Sequence, residues 1–242
     1  MRLASVPYLN AIPLTHGLPQ PIWKATPRVL LRSPEKWDVA LLSTVALFQH
    51  PDWRFVPGVA IGSMGAVQSV KLFFKHEGFT VQNIKKIYLD VESNTAIALL
   101  KILLQFYWKR SLNTISWNDQ QNETVDASLF IGDKALQNQN APAIDLGEVW
   151  TTWTGLPFVY ALWIAQKKEW IAPAYDLLIP IAQKNLQQLA MLAKEFAPAQ
   201  PDALQSYWEN LCYQWGPEQV KGLALFRKYY AELNSIRRPS AT

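Results

Sequence analysis

The first fourteen residues constrain the fold more than any other stretch of this chain. They read MRLASVPYLNAIPL, and an apolar, strand-like run at positions 2–6 is broken at Pro7, before the amide of Asn10. Open α/β sheets bind their ligands just beyond the carboxyl ends of the strands, which is where Asn10 would lie. The stretch has no basic start, long apolar core or small-residue cleavage site of a secretory signal peptide, so we expect a cytoplasmic protein.

The composition argues against several classes of protein. Half of the 242 residues are apolar and 17% are charged, which is typical of a globular chain with a sizeable core. The longest apolar run, at 156–165, is too short to span a bilayer, so no membrane association is expected. The net charge of +4 is spread over short clusters, which argues against a nucleic-acid partner and suits a small anionic ligand.

The residues that commonly carry metals or nucleophilic catalysis are few. Cys212 is the only cysteine in the chain, and the three histidines, His16, His50 and His76, are not spaced like metal ligands. No Ser-His-Asp or Cys-His set can be nominated, and Gly62-Ser63-Met64-Gly65 lacks the lysine and the helix of a phosphate-binding loop. We therefore expect no metal and no cofactor.

Short strands and helices alternate along the chain, and the pattern starts afresh in the middle third. Strands are predicted at 2–6, 28–32, 39–42, 55–61, 70–75, 87–89, 129–131 and 158–164, those at 55–61 and 70–75 as a hairpin. The last third is predicted to be helical, with one helix that starts late or kinks at Pro180. We expect two α/β lobes, 1–77 with 164–242 and 78–163, and a ligand between them.

Five polar clusters lie at the ends of predicted strands. They are Tyr8-Leu9-Asn10, Ser43-Thr44, Ser63-Met64-Gly65-Ala66, Ser93-Asn94-Thr95 and Gly132-Asp133. Hydroxyl residues at helix starts, with free backbone N–H groups behind them, bind carboxylates, and Thr44 and Thr95 open two predicted helices. Each cluster alone is more often only a helix cap than a ligand site, and for Asp133 both roles stay open. Five such clusters in one topology indicate a cleft for a small anion.

Six motifs in this order resemble one known family. They are residues 5–14 (SVPYLNAIPL), 38–48 (DVALLSTVALF), 59–75 (VAIGSMGAVQSVKLFFK), 89–104 (LDVESNTAIALLKILL), 128–136 (SLFIGDKAL) and 145–163 (DLGEVWTTWTGLPFVYALW). Together they resemble the chorismate dehydratases of the futalosine route to menaquinone. The resemblance covers roughly residues 1–165. It implies a two-lobed type II periplasmic-binding-protein-like fold, also called a Venus flytrap, used as an enzyme.

The resemblance also implies a reaction and a set of residues. A carbon–oxygen lyase (hydro-lyase) of this family removes water from chorismate to give 3-[(1-carboxyvinyl)oxy]benzoate, with the substrate's own enolpyruvyl carboxylate suggested as the base. The matching positions are Asn10 as the catalytic residue, and Ser43, Thr44, Ser63, Met64, Gly65, Ser93, Asn94, Thr95 and Asp133 as substrate contacts. The family usually reads Ser-Arg-Thr-Ser where this chain has Ser93-Asn94-Thr95-Ala96, so one cation is missing.

Other functions fit parts of the same evidence. A non-catalytic solute-binding protein for a small anion would have the same fold, but would carry an export signal or a lipidation cysteine. The sister enzyme that cleaves the cyclised nucleoside of the pathway has no Tyr-Leu-Asn before its proline, and a ligand-sensing regulator would carry a DNA-binding segment. A contact with the next enzyme of the pathway stays open, as does the oligomeric state.

Overall fold

A computed structural model of the chain describes residues 1–90, 92, 94–120, 124–138 and 141–236. Its strands, in chain order, are β1 (Leu3–Ser5), β2 (Ile22–Lys24), β3 (Val39–Ser43), β4 (Arg54–Ser63), β5 (Val70–Phe74), β6 (Lys86–Leu89), β7 (Ser116–Asn118), β8 (Ala127–Ile131), β9 (Ala143–Asp145), β10 (Phe158–Ala165) and β11 (Cys212–Gln214).

The α-helices are α1 (Ile12–Thr15), α2 (Pro27–Arg32), α3 (Thr44–Gln49), α4 (Asn94–Ile102), α5 (Gly132–Gln137), α6 (Leu146–Thr154), α7 (Ile171–Leu186), α8 (Leu189–Phe196), α9 (Pro201–Asn210) and α10 (Pro217–Ile236). A π-helical turn, Leu103–Tyr107, extends α4, and 3-10 turns lie at Leu9–Ala11, Pro34–Lys36, Leu112–Thr114 and Lys168–Trp170. The predicted alternation of short strands and helices, followed by a largely helical last third, is confirmed.

The chain divides into two compact units. The first unit is Met1–Ser63 with Val159–Gly216, and the second is Met64–Phe158 with the chain from Pro217 onward. Both differ from the expected lobes, 1–77 with 164–242 and 78–163. The chain leaves the first unit at the end of β4, because β4 and β5 belong to different sheets. The last helix, α10, belongs to the second unit because it packs against α4.

The first unit is built on a six-stranded mixed sheet with the order β11-β4-β10-β3-β1-β2. β1 pairs in parallel with β2 and β3, and β10 runs antiparallel to β3, with Ala161 opposite Ser43. β3 is buried at all five positions, since helices cover the faces of such a sheet. Trp37, Trp163 and Trp208 are almost fully buried, as expected for a core rich in large aromatic side chains.

The second unit is built on a five-stranded sheet with the order β7-β6-β8-β5-β9. β6 is parallel to β7 and β8, whereas β5 is antiparallel to β8 and β9. The buried Trp150 packs edge-on against Phe158 and Phe226, which joins α6 to α10. A Cβ on Gly222 would lie 2.1 Å from the carbonyl oxygen of Pro157, so only glycine permits α10 to approach this closely.

Two local predictions are wrong, and a third is narrowed. Residues 28–32 form a helix, since Pro27 occupies its first turn and the buried Pro27 and Leu30 are three positions apart. The predicted hairpin does not exist, because β4 pairs with β11 and β10 while β5 pairs with β8 and β9. Helix α7 does not start late, since it begins at Ile171 and continues through Pro180 to Leu186, and a kink at Pro180 stays a prediction.

Candidate active site

Asn10 lies in the turn that follows the carboxyl end of β1. The 3-10 turn Leu9–Ala11 is closed by a hydrogen bond from the Ala11 N–H to the Tyr8 carbonyl at 3.0 Å, and α1 starts directly after it. The Asn10 side chain is half-buried. Its Oδ1 atom is buried and has no hydrogen-bond partner among the described residues. A buried polar atom without a partner is costly, so this oxygen is a candidate ligand contact.

Ser43 and Thr44 lie at the carboxyl end of β3, the strand next to β1. Ser43 is buried, and its Oγ atom has no hydrogen-bond partner in the described part of the chain. The fully buried Thr44 hydroxyl donates a 2.7 Å hydrogen bond to the carbonyl of Val159. The two neighbouring hydroxyl groups therefore differ, since that of Thr44 holds β10 beside β3, whereas that of Ser43 has no partner among the residues that the structure describes.

Ser63 ends β4 and lies close to a residue that the sequence analysis did not single out. The oxygens of Ser63 and Tyr160 are 3.5 Å apart, and both residues are buried. Tyr160 is beside Ala161, which pairs with Ser43 in the antiparallel β10–β3 ladder. Ser63 and Tyr160 therefore lie at the same edge of the sheet as Ser43. In the sequence, the only indication of a polar contact here was a tyrosine within the apolar run of β10.

The first unit thus brings Asn10, Ser43, Thr44 and Ser63 to one edge of its sheet, together with Tyr160. We call this set the first edge. Its side chains are an amide, three aliphatic hydroxyls and a phenol, which carry no charge at neutral pH. Such groups orient a ligand by hydrogen bonds and leave its charge to be balanced elsewhere.

The second unit brings the remaining described candidates to one edge of its own sheet. β6 and β8 are parallel, with Leu89 opposite Leu129, so the segments after them leave the sheet on the same side. Asn94 and Thr95 form the first turn of α4, and Asp133 lies in the first turn of α5. Thr95 is buried and Asn94 half-buried. Ser93, expected as a substrate contact, lies outside the described residues.

The segment before β5 reaches the same edge, because Val70 pairs with Ile131 at the end of β8. The Gly65 N–H donates a 2.9 Å hydrogen bond to Thr151 Oγ1, and its φ of +103° is one that glycine adopts readily. Met64, just before it, is 59% exposed and offers an apolar contact. We call Met64, Gly65, Asn94, Thr95 and Asp133 the second edge.

Asp145 organises the second edge and was missed by the sequence analysis. Its buried carboxylate accepts hydrogen bonds from the backbone N–H groups of Val67 and Gln68, at 3.0 and 2.7 Å. The same side chain caps α6 by accepting from Gly147 and Glu148. An aspartate directly before a helix pattern was a signal for the cap, but nothing local indicated the two bonds to a loop nearly eighty residues earlier.

Charged groups at the second edge are partly paired. Lys134 Nζ lies 3.0 Å from Asp90 Oδ2, and the hydrogen bond to this carboxylate raises the pKa of Lys134. Partial burial raises the pKa of the neighbouring Asp133. The edge therefore combines one ion pair with one carboxylate whose charged form is disfavoured.

Within the described residues, no group of three or more His, Cys, Asp or Glu side chains is placed to hold a metal ion. The helices of that part of the chain are also too short or too polar to cross a bilayer. His16 is half-buried, with its ring edge-on to Phe196 and its Nδ1 3.9 Å from a Glu195 oxygen.

Solved structures of other proteins share this architecture, which defines the chain as having a periplasmic-binding-protein-like fold. A protein from Archaeoglobus fulgidus superposes with a TM-score of 0.73 at 15% identity, covering 97% of both chains. The alkanesulfonate-binding protein of Xanthomonas axonopodis gives 0.62 at 13% identity over 98% of this chain and 94% of that one. A Candida albicans protein with the generic periplasmic-binding-protein fold gives 0.63 at 12% identity, covering 99% and 91%.

The sequence places the chain more narrowly. A family model for menaquinone biosynthesis matches residues 1–232, and the chain therefore belongs to the menaquinone biosynthesis family. A curated protein of Thermus thermophilus, named chorismate dehydratase, is 28% identical over 259 aligned positions that cover 90% of this chain and 91% of the relative.

Proposed function

We propose that this protein is a chorismate dehydratase of the futalosine route to menaquinone. It would convert chorismate to 3-[(1-carboxyvinyl)oxy]benzoate as a hydro-lyase in the cytoplasm. Its membership of the menaquinone biosynthesis family and the Thermus relative named chorismate dehydratase support this proposal. Six motifs in the order typical of that enzyme family, spread over roughly residues 1–165, support it independently of the structure.

The observation that carries the proposal is the pair of unpartnered buried oxygens at the first edge. Asn10 Oδ1 and Ser43 Oγ follow the neighbouring parallel strands β1 and β3, and neither has a partner among the described residues. Leaving such a group unsatisfied costs roughly 1–3 kcal/mol, so two in one place are retained at an expense to folding. Hydrogen bonds from a bound substrate would satisfy both.

The reaction makes modest demands on the protein. A C–H bond breaks at C3 of the ring and a C–O bond breaks at C4, the electron pair of the C–H bond completes the benzene ring, and the proton and hydroxyl leave as water. Aromatisation supplies the driving force, so the protein needs chiefly to hold the ring and align the departing groups. We assign Asn10 to orient the leaving hydroxyl or an adjacent carboxylate.

The proton acceptor is proposed to be the enolpyruvyl carboxylate of the substrate itself. The first edge offers amide and hydroxyl groups that are neutral at working pH and have little basicity. A substrate-borne carboxylate needs no titrating side chain beside it. Excluding water would also suppress hydrolysis of the enol ether.

We propose that the second edge supplies further contacts. Asn94 and Thr95 would hold a carboxylate through their side chains and the first turn of the nine-residue helix α4. The exposed Met64 would contact the ring, with Gly65 and Asp133 beside it. Asn94 replaces the arginine usual in the family, so binding here would depend on hydrogen bonds and not on an ion pair.

A second candidate function is non-catalytic binding of a small organic anion. It is favoured by one observation, the similarity of fold to the alkanesulfonate-binding protein of Xanthomonas axonopodis. The two functions differ in a simple way, since a binder leaves chorismate intact and a dehydratase consumes it.

The experiment is to incubate the purified protein with chorismate and follow the aromatic enol ether by ultraviolet absorbance and by mass. We expect loss of one water per substrate and many turnovers per protein. Saturable binding of chorismate without product, measured by calorimetry, would replace the enzyme with the binder, and neither binding nor product would remove chorismate as the ligand.

Asn10→Ala tests whether the buried Asn10 oxygen contributes to turnover. We expect turnover to fall by about a hundredfold, because a preorganised polar contact is lost, while the thermal unfolding midpoint changes little. Asn113→Ala is a matched control. Asn113 is exposed and precedes β7, so it lies at the amino ends of the parallel strands β6 and β7, away from the second edge. Equal rates for both variants and the wild type would remove Asn10 from the mechanism.

A further inference from the structure

The turn that carries Asn10 is held by two aromatic side chains from about two hundred residues further along the chain. The indole Nε1 of Trp208 donates a 2.9 Å hydrogen bond to the carbonyl of Leu9. The hydroxyl of Tyr213 donates a 2.9 Å hydrogen bond to the carbonyl of Asn10. Both bonds end on the backbone, so they fix the peptide from which the Asn10 side chain projects.

The carbonyl of Asn10 lacks the donor that a continuing 3-10 turn would give it. In a continuing 3-10 turn this oxygen would accept from the N–H three residues on, but that residue is Pro13, which has none. The Tyr213 hydroxyl supplies the missing donor. Tyr213 is 4% exposed, and burial raises its pKa well above the ordinary value, so the hydroxyl keeps its proton.

Trp208 acts on the preceding peptide. The carbonyl of Leu9 already accepts the N–H of Ile12 at the end of the 3-10 turn, and the indole N–H occupies its second lone pair. Trp208 lies in α9 and is fully buried. A large ring with two rotatable bonds, packed on all sides, has little freedom to move and is a rigid support.

We propose that Trp208 and Tyr213 are positioning residues for Asn10, a role that rests on the proposed function, in which Asn10 contacts the substrate. Neither touches the substrate. Together they hold two consecutive carbonyls and so set the direction in which the amide side chain points. A displacement of about 1 Å in a reacting constellation can cost about a hundredfold in rate, so this support matters for turnover more than for binding.

The first test is the pair of variants Tyr213→Phe and Trp208→Phe. Each removes one donor to the turn, and we expect kcat to fall by about tenfold while KM stays within about twofold. Trp163→Phe is the matched control. Trp163 is equally buried in the same unit, and its Nε1 has no partner among the described residues, so only packing is lost. We expect it to lower the unfolding midpoint with kcat unchanged.

A double variant separates positioning from general support of the fold. If Tyr213 acts through Asn10, adding Tyr213→Phe to Asn10→Ala lowers the residual kcat no further. If Tyr213 only stabilised the structure, Tyr213→Phe would lower kcat by the same factor in the wild type and in Asn10→Ala. That result would overturn the inference.

Amide hydrogen exchange of residues 9–12 gives a readout that needs no turnover. We expect these amides to exchange about tenfold faster in Tyr213→Phe and Trp208→Phe than in the wild type and in Trp163→Phe. Unchanged exchange in both variants would overturn the inference whatever the activity. A wild-type protein that leaves chorismate intact would overturn the proposed function, while faster exchange would still show that the two side chains hold the turn.

Discussion

The two edges carry similar residue types but use them differently. At the first edge, the polar atoms of Asn10 and Ser43 are buried without partners in the described chain. At the second edge, backbone groups of the loop before β5 are engaged, since the Gly65 N–H donates to Thr151, and the adjoining Asp145 accepts from the N–H groups of Val67 and Gln68. At the first edge, Trp208 and Tyr213 support the backbone, and two side-chain oxygens have no partner in the described part of the chain. At the second edge, hydrogen bonds fix the loop before β5.

This difference indicates a division of labour. Unmade hydrogen bonds lower stability, and at the carboxyl ends of strands a bound ligand can complete them, so the first edge is the better candidate for the chemistry. Completed bonds define the position of a loop, so the second edge is the better candidate for a rigid frame that receives carboxylates. The comparison can be tested by removing the bonded carboxylate of Asp145, the hydroxyl groups of Ser43 and Thr44, and the charge of Asp133.

Asp145→Ala should produce the largest effect. The change leaves four backbone N–H groups without their acceptor, two in the loop before β5 and two at the start of α6. We expect the free energy of unfolding to fall by about 3 kcal/mol, measured by urea denaturation. Asp145→Asn keeps one acceptor oxygen and should lose about half as much. A loss under about 1 kcal/mol for the alanine variant would contradict the idea of a frame built on this carboxylate.

Ser43→Ala and Thr44→Val compare two adjacent hydroxyl groups. That of Ser43 has no hydrogen-bond partner among the described residues, whereas that of Thr44 donates to Val159. Removing the unpartnered Ser43 hydroxyl should leave unfolding unchanged or raise its free energy slightly, while turnover falls by about tenfold. Thr44→Val breaks the bond to the Val159 carbonyl and should destabilise by about 1–2 kcal/mol. Turnover of chorismate and urea denaturation of both variants decide the matter. Equal loss of stability in the two would mean that Ser43 has a structural partner after all.

Asp133→Asn should give the smallest effect, visible only in its dependence on pH. Because partial burial raises the pKa of this carboxyl in the folded protein, the folded state binds its proton more tightly than the unfolded chain does. Stability from this group is therefore lost as the pH rises from the ordinary aspartate range through the raised pKa. The variant should match the wild type near pH 3 and unfold at a slightly higher temperature near pH 6. Since the Asp133 side chain is only partly buried and still contacts water, solvent screens the effect. A wild type more stable than the variant at the higher pH would reverse the sign.

Local chemistry was enough to predict much of the candidate site. The segment after β1, the start of α3 and the start of α4 follow strand–turn–helix rules that depend on a few neighbouring residues. Those rules placed Asn10, Thr44 and Asn94 at strand ends, and the structure has them there. The general α/β class followed from the same alternation of short apolar runs and helical spacing.

The supports of the site could not be predicted in this way. Trp208, Tyr213 and Asp145 act on backbone groups between 77 and 203 positions away, and no periodicity records such a pairing. The strand β11 was missed because three residues next to a helix carry too little pattern. The hairpin prediction failed because two consecutive apolar runs look the same whether they pair together or enter separate sheets.

The order of the strands has a consequence for synthesis. In the first unit β10 lies between β3 and β4, yet it is encoded more than ninety residues after them. The sheet of the second unit is complete once residue 145 is available. During synthesis, all strands of the second unit's sheet are therefore available before β10 is. Until then, β3 and β4 lack the strand that lies between them. Chaperone dependence should peak while this strand is missing, before β10 leaves the exit tunnel.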